Sequence, residues 1–159
     1  GWMRALLTLL LLSLGLSGCG FHMRGEESIP SFRKVTLVGD DRDDLYRQVA
    51  TNLRHVGVEL VPPSDGIPSL KLGEMQVKNQ VASVDSRAQN VEYLMLFNTE
   101  YTLHVPGHPD QRFNASFNRS FLNKSSEALA SSREQEQLRD EMRKQTAALI
   151  LIQLSRVKF

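Results

Sequence analysis

The chain opens with an apolar run that contains no charged residue. Residues 5–16 are ALLTLLLLSLGL, and only Arg4 carries a charge before them. A membrane-spanning helix needs about 20 apolar residues, whereas a run of roughly a dozen after a basic residue is typical of a secretory signal peptide. We therefore predict a signal peptide over residues 1–18 rather than a buried core helix.

The residues that follow this run predict a tether. The sequence FHMRGEESIPSFRK, which ends at Lys34, is polar and irregular, and Pro30 blocks a continuous helix. Fully extended, about 14 residues reach at most roughly 46 Å. We assign residues 19–34 to the mature N-terminus and tether, and residues 35–159 to a single folded domain.

A strand, a helix and a second strand open the predicted domain. Residues 35–38 are rich in β-branched side chains, which indicates a strand, and residues 58–61 indicate another. Between them, Asp40 and Asp41 are candidate N-caps and Gly57 a candidate C-cap. The apolar residues of the helix are spaced by four, four and three: Leu45, Val49, Leu53 and Val56. The order predicts a βαβ unit with two parallel strands.

Three later segments show the alternation expected of antiparallel strands. Residues 69–85 change parity, and a bulge at Gly73 would correct their register. In residues 91–105 the odd positions are apolar except Thr99, so one face is buried and the other polar. Residues 113–122 repeat the pattern after a turn and predict a hairpin.

The C-terminal residues predict a long helix and complete the fold class. Ser131 and Glu134 have the spacing of a capping box. One apolar face follows from four residues: Leu138, Met142, Leu149 and Ile152. We predict an α/β (α+β) two-layer sandwich, with two helices packed on one face of a four- or five-stranded mixed β-sheet. Arg119 falls on the apolar face and is expected to extend to solvent or to pair with an acid.

Composition and motifs argue for a binding protein rather than an enzyme. A chain of 159 residues with 41% hydrophobic residues suffices for one domain. Without Arg4, the predicted mature chain has eighteen basic and eighteen acidic residues, a balance that argues against a nucleic-acid partner. The sequence contains no nucleophile elbow and no glycine-rich phosphate loop. We predict no enzyme activity, no metal and no cofactor.

Two groups of possible metal ligands have simpler explanations. His104 and His108 surround a proline-containing turn and have no third ligand nearby in the sequence. Four acids cluster before the first helix of the domain: Asp40, Asp41, Asp43 and Asp44. Acids at this position complement the helix dipole, so we favour capping over calcium binding.

Cys19 is the only cysteine and has no partner for a disulfide within the chain. Leu16, Ser17, Gly18 and Cys19 read L-S-G-C directly after the apolar run, which resembles the bacterial lipobox. That resemblance implies cleavage before Cys19 and a covalent lipid on it. Two or more acyl chains anchor a protein firmly. Gly20 in place of Asp implies the outer membrane, whereas the alternative is ordinary cleavage that leaves a free thiol.

Three basic residues lie at predicted loops and are candidate ligand-binding residues. Arg87 lies in the turn SRAQN, Lys124 follows the last strand, and Arg133 lies at the start of the final helix. If these loops meet at one end of the sandwich, they form a cationic rim for phosphate or carboxylate groups. The alternative is ordinary solvated charge.

Short segments in a specific order resemble the LPS-assembly lipoprotein family, LptE. They are CGFHMRG at residues 19–25, VGVEL at 56–60, PSLKLG at 68–73, ASV and EY around Ala82 and Tyr93, and RSF at 119–121. The family's fold, two helices against a small mixed sheet, agrees with the layers predicted above. The resemblance implies a non-enzymatic lipoprotein at the periplasmic face of the outer membrane.

Within the family, the lipoprotein plugs the lumen of the outer-membrane β-barrel LptD, assists its assembly and binds lipopolysaccharide during delivery to the outer leaflet. The resemblance implies lipopolysaccharide contact at Arg87 and Arg133. Arg87 is displaced by one position from the family's basic site, and Ser131 stands where the family has a lysine. A different possibility is a lipoprotein adaptor that scaffolds an envelope complex without binding glycolipid.

Overall fold

The computed structural model describes residues 1–16, 29–84, 86, 90–124 and 128–158. For residues 11–16, 123–124 and 128–131 it describes the backbone alone. Cys19 and Arg87 lie outside the described residues. Helix α1 (Trp2–Leu16) occupies the predicted signal peptide, and its described side chains are exposed, so they add nothing to the core. Within the described part of the chain, none of the helices has the length and apolarity needed to cross a membrane.

The predicted βαβ unit is confirmed. Strand β1 (Lys34–Val38) pairs in parallel with β2 (Glu59–Leu60), and helix α2 (Asp44–His55) connects them. The helix ends at His55 with Val56 as its C-cap, one residue before the predicted C-cap Gly57. Gly57 follows with a φ of 90°, which suits a residue without a side chain, and its N–H donates to the carbonyl oxygen of Arg54 at 3.0 Å.

The predicted N-caps Asp40 and Asp41 are wrong, because the helix begins later. Asp43 occupies the N-cap position, and its side chain makes no capping hydrogen bond. The Asp40 carboxylate instead accepts a hydrogen bond from the Arg42 backbone N–H at 3.0 Å. This local bond closes a turn before the helix, a use of Asp that competes with capping.

Four further strands form an antiparallel arrangement around the longest of them. They are β3 (Ser69–Leu72), β4 (Gln76–Val84), β5 (Asn90–His104) and β6 (Gln111–Lys124). One edge of β5 pairs along its length with β6. The other edge pairs first with β4 and then with β3, which also pairs in parallel with β1. The sheet is therefore mixed, as predicted.

The predicted bulge at Gly73 is confirmed, and it divides the segment into β3 and β4. Three residues, 73–75, lie opposite Thr99 and Glu100 of β5. The Gly73 N–H donates to the Glu100 carbonyl oxygen at 3.0 Å. A Cβ atom at Gly73 would lie 2.7 Å from that same oxygen. The close approach of the two backbones therefore requires glycine at this position.

Replacing Gly73 by Ala is expected to lower the free energy of unfolding by about 1 to 3 kcal/mol, because the new methyl group forces the two backbones apart. Urea denaturation followed by circular dichroism measures this change. Glu74→Ala alters an exposed neighbour in the same loop and serves as the control, with an expected change within about 0.5 kcal/mol. Equal stabilities of the two variants would contradict the bulge geometry.

The two helices of the domain cover one face of the sheet. Helix α3 (Ala128–Ser155) packs against α2 and over β6. The main core lies between the helices and the sheet, and a smaller core lies under the first half of α3. Central members of the main core are Val35, Leu45, Leu53, Leu70, Leu103 and Ile150, and the smaller core contains Met95, Phe97, Phe121 and Met142. These layers confirm the predicted fold class.

The predicted capping box at Ser131 and Glu134 is wrong. Helix α3 already begins at Ala128, so both residues lie inside it. Ala128, Leu129 and Ala130 are strong helix formers and extend the helix toward its N-terminus.

The folded core begins within the segment expected to be a tether. Phe32 is 6% exposed and belongs to the main core. The Ser31 hydroxyl donates a hydrogen bond to the Val157 carbonyl oxygen at 3.2 Å. Residues 31 and 32 therefore join the two ends of the domain.

Candidate functional site

Lys124 and Arg133, two of the three sequence-predicted cationic residues, lie toward one end of the sheet. Val84 pairs with Val91, so β4 and β5 are joined at the end where Asn90 pairs with Lys124. Helix α3 begins four residues after Lys124. Arg133, five residues into α3, is about 8 Å along the helix axis from its start and is exposed.

The pairing brings the ends of β4, β5 and β6 together at this end of the sheet. Arg87 lies outside the described residues, and the side chain of Lys124 is likewise not described. The convergence of Arg87, Lys124 and Arg133 into one binding rim therefore stays a prediction.

Arg119 has a structural explanation. Its guanidinium Nη2 lies 3.5 Å from Oε2 of Glu141 on α3, and the arginine side chain is 46% exposed. The prediction that this residue pairs with an acid is confirmed. Because both partners are well exposed to water, the ion pair contributes little to stability.

The face of the sheet opposite the helices is open and largely polar. In β5, the odd positions from Met95 to Leu103 are buried, so the even positions point to the other face. That face carries a concentration of amide and hydroxyl groups: Asn98, Asn114, Ser116, Asn118 and Ser120. The Ser116 hydroxyl donates to Oδ1 of Asn98 at 2.7 Å. The surface offers many neutral hydrogen-bonding groups to a partner.

A depression of about 410 Å³ interrupts this open face near the Gly73 bulge. Two rows of side chains surround it. One row contains Lys71, Thr102 and Arg112, and the other contains Glu100 and Asn114. Sequence reasoning missed this feature, because its residues come from three strands, and β3 and β6 pair with opposite edges of β5. The one sequence signal for the depression was Gly73, a glycine inside a predicted strand that follows Lys71 and precedes the polar strands of the hairpin.

The histidines and acids do not assemble a metal site within the described residues, where no group of three or more His, Cys, Asp and Glu side chains is close enough to hold an ion. His104 instead contacts Asp110 through Nδ1 in the turn between β5 and β6. This pair closes the hairpin.

The fold is a two-layer α+β domain with a polar open sheet face. The chain belongs to the LptE family, described as lipopolysaccharide-assembly, which matches residues 28–154. This family is non-enzymatic.

Related proteins support this assignment. The LPS-assembly lipoprotein LptE of Pectobacterium atrosepticum is 31% identical over 160 residues, covering 96% of this chain and 86% of that protein. The protein of the same name from Yersinia enterocolitica is 29% identical over 159 residues, and the match covers 96% of this chain and 77% of that protein.

Solved structures also resemble the chain. Rare lipoprotein B from Shewanella oneidensis has a TM-score of 0.69 and 30% identity, covering 76% of this chain and 91% of that one. Lipoprotein B from Nitrosomonas europaea, at 18% identity, has a TM-score of 0.63, covers 86% of this chain and 90% of that one, and shares the fold.

Proposed function

We propose that this protein is an outer-membrane lipoprotein that plugs the lumen of an LptD-like β-barrel, assists the assembly of that barrel and binds lipopolysaccharide during its delivery to the outer leaflet. Membership in the LptE family supports a role in lipopolysaccharide assembly. The observation that carries the barrel contact is the open, amide-rich and hydroxyl-rich face of the sheet.

A polar sheet face suits the interior of a large barrel. The lumen of an outer-membrane barrel is lined by polar side chains, because lipid-facing and lumen-facing residues alternate along each strand. Asn98, Asn118 and Ser120 offer donors and acceptors to such a wall without introducing a net charge. By contrast, an apolar open face would favour contact with lipid or with another hydrophobic surface.

The anchor of the proposed protein is the lipid on Cys19, and its glycolipid contact is the cationic rim. Lipopolysaccharide carries phosphate and carboxylate groups, which arginine binds through two parallel hydrogen bonds. Arg87, Lys124 and Arg133 are the proposed ligand residues. No additional cofactor is proposed.

Charge reversal of Arg87 and Arg133 together is expected to weaken lipopolysaccharide binding at least tenfold, because two attractive contacts become repulsive. Binding of purified lipopolysaccharide to the detergent-solubilised protein measures the effect. Reversal of Arg42 and Arg54, two exposed arginines elsewhere, is the matched control and should change binding less than twofold. Equal losses in both variants would show that the rim is only solvated charge.

Affinity purification of the lipidated protein from membranes tests the partner. We expect one β-barrel protein to co-purify in an equimolar amount and to remain bound in mild detergent. Recovery of a periplasmic complex with no barrel would contradict the proposal and favour the adaptor function. The same purification from cells that express the protein without its lipidated cysteine shows whether the anchor is needed for the complex.

A further inference from the structure

The depression on the open face has cationic residues on one side and a carboxylate on the other. Lys71 pairs with Thr102, and Thr102 pairs with Arg112, so the three side chains form a row across three strands. Glu100 pairs with Asn114 in the parallel row two residues away. Gly73 takes the third place in that second row, and its missing side chain leaves the space open.

The two cations are placed to hold one anion between them. Neighbouring strands lie about 5 Å apart, so the backbones of Lys71 and Arg112 are separated by roughly 10 Å across Thr102. Both side chains are long, and a phosphate group above the Thr102 hydroxyl lies within reach of each. Among the described residues, neither Lys71 nor Arg112 makes an ion pair, so both charges are available.

The second row supplies contacts for hydroxyl groups. Among the described residues, Glu100 makes no ion pair, so its carboxylate is free to accept hydrogen bonds. Asn114 adds an amide beside it, and Asn98 and Ser116 continue the polar surface beyond. A carboxylate next to amides and hydroxyls is suited to the hydroxyls of a sugar.

The floor of the depression is held rigidly from the other side of the sheet. It is formed by the backbone between the two rows, at Leu72, Tyr101 and Phe113. The Tyr101 and Phe113 rings stack with centroids 5.0 Å apart. Burial raises the pKa of Tyr101, so its hydroxyl stays protonated and donates to Gln153 of α3. The Gln153 amide in turn donates to the Asn114 carbonyl oxygen at 3.0 Å.

We infer that this depression is a binding site for a phosphorylated sugar, with Lys71, Thr102 and Arg112 on the phosphate and Glu100 and Asn114 on the sugar hydroxyls. As a second contact for the glycolipid headgroup, the site rests on the proposed lipopolysaccharide-binding function. It is distinct from the cationic rim, because it lies near the opposite end of β5, next to the turn that joins β5 to β6.

Titration by NMR with glucose 1-phosphate, glucose and inorganic phosphate tests the site in the full-length protein in detergent at low salt. We expect glucose 1-phosphate to bind more tightly than either glucose or phosphate. The double variant Lys71→Gln with Arg112→Gln should weaken that binding at least tenfold. Glu100→Gln should tighten phosphate binding severalfold, because it removes a nearby negative charge while keeping the side-chain shape. If these residues had only a structural role, the two variants would not change anion binding in opposite directions.

The matched control is Lys78→Gln with Arg54→Gln, which removes two exposed cations outside the depression and should change binding less than twofold. An unchanged affinity in the Lys71 and Arg112 variant, or a loss equal to that of the control, would overturn the inference. The three variants, solubilised in detergent, should show the same secondary structure as the wild-type protein by circular dichroism.

Purified lipopolysaccharide distinguishes a glycolipid headgroup from a free sugar phosphate. If the wild-type protein binds lipopolysaccharide, the Lys71 and Arg112 variant should weaken that binding at least fivefold, and wild-type affinity in the variant would refute the site while leaving the proposed function intact. If the wild-type protein binds no lipopolysaccharide, the glycolipid part of the proposed function fails. In that case, variant-sensitive binding of glucose 1-phosphate supports the site, and its absence overturns it.

Discussion

A mature protein that carries Ala in place of Cys19 is expected to lose its membrane affinity by more than about 10⁴-fold. Each buried methylene group contributes about 0.8 kcal/mol, so even one acyl chain exceeds the roughly 5.5 kcal/mol that corresponds to 10⁴-fold, and the predicted lipoprotein anchor has more than one chain. The Cys19→Ala protein should be expressed behind a signal peptide that is cleaved independently of the lipobox, so that an uncleaved apolar run does not hold it in the membrane.

Fractionation of cells that overproduce the chain in excess of any barrel partner measures this effect. The wild-type protein should be found in the membrane fraction and the variant in the soluble periplasmic fraction. Mass spectrometry of the wild-type N-terminal peptide should show acyl chains on Cys19. A free thiol on Cys19 in the mature wild-type protein would refute the lipid anchor.

Replacing Leu70 by Ala is expected to lower the free energy of unfolding by about 3 to 4 kcal/mol, because the change leaves a cavity in the main core. Leu70 is 0% exposed and lies on β3 between β1 and β5. Leu122 of β6 is 47% exposed and makes a control of identical chemistry, for which we expect a change of less than about 1 kcal/mol. Urea denaturation measures both, and similar losses in the two variants would contradict the assignment of the buried and open sheet faces.

The hydrophobic pattern was sufficient to predict most of the fold. The spacing of Leu45, Val49 and Leu53 predicts the face of α2 that is buried in the structure. The alternation in β5 predicts both its length to within one residue and the face that the helices cover. The change of parity at Gly73 predicts the bulge. These features depend on local periodicity, which a single sequence records directly.

Features that depend on tertiary contacts were not predictable in the same way. Pro30 and the polar residues around it suggest a tether, yet Phe32 inserts into a core built from distant segments. Ser131 and Glu134 match a capping box, but the strong helix formers at residues 128–130 start the helix before these two residues. In both cases a correct local pattern is overridden by neighbouring or distant residues.

The cationic rim and the depression differ in how far the sequence predicts them, because only the depression depends on pairing between distant strands. Arg87 and Lys124 lie at predicted loops and Arg133 at a predicted helix start. The register of β5 and β6 places Lys124 at the end of the sheet where β4 and β5 are joined. Lys71 and Arg112 are 41 positions apart in the sequence. Their proximity depends on the pairing of β3 and β6 with opposite edges of β5, which no short motif indicates.

Site-specific photo-crosslinking in intact cells tests the central claim, that the domain sits inside a barrel, most directly. One crosslinker replaces Asn118 on the open sheet face, and another replaces Thr51 on the exposed surface of α2, on the opposite side of the domain. A protein enclosed by a barrel wall should crosslink from both positions to the same outer-membrane β-barrel. Crosslinks from only one face, or crosslinks to periplasmic proteins alone, would contradict the plug and indicate a side-on adaptor.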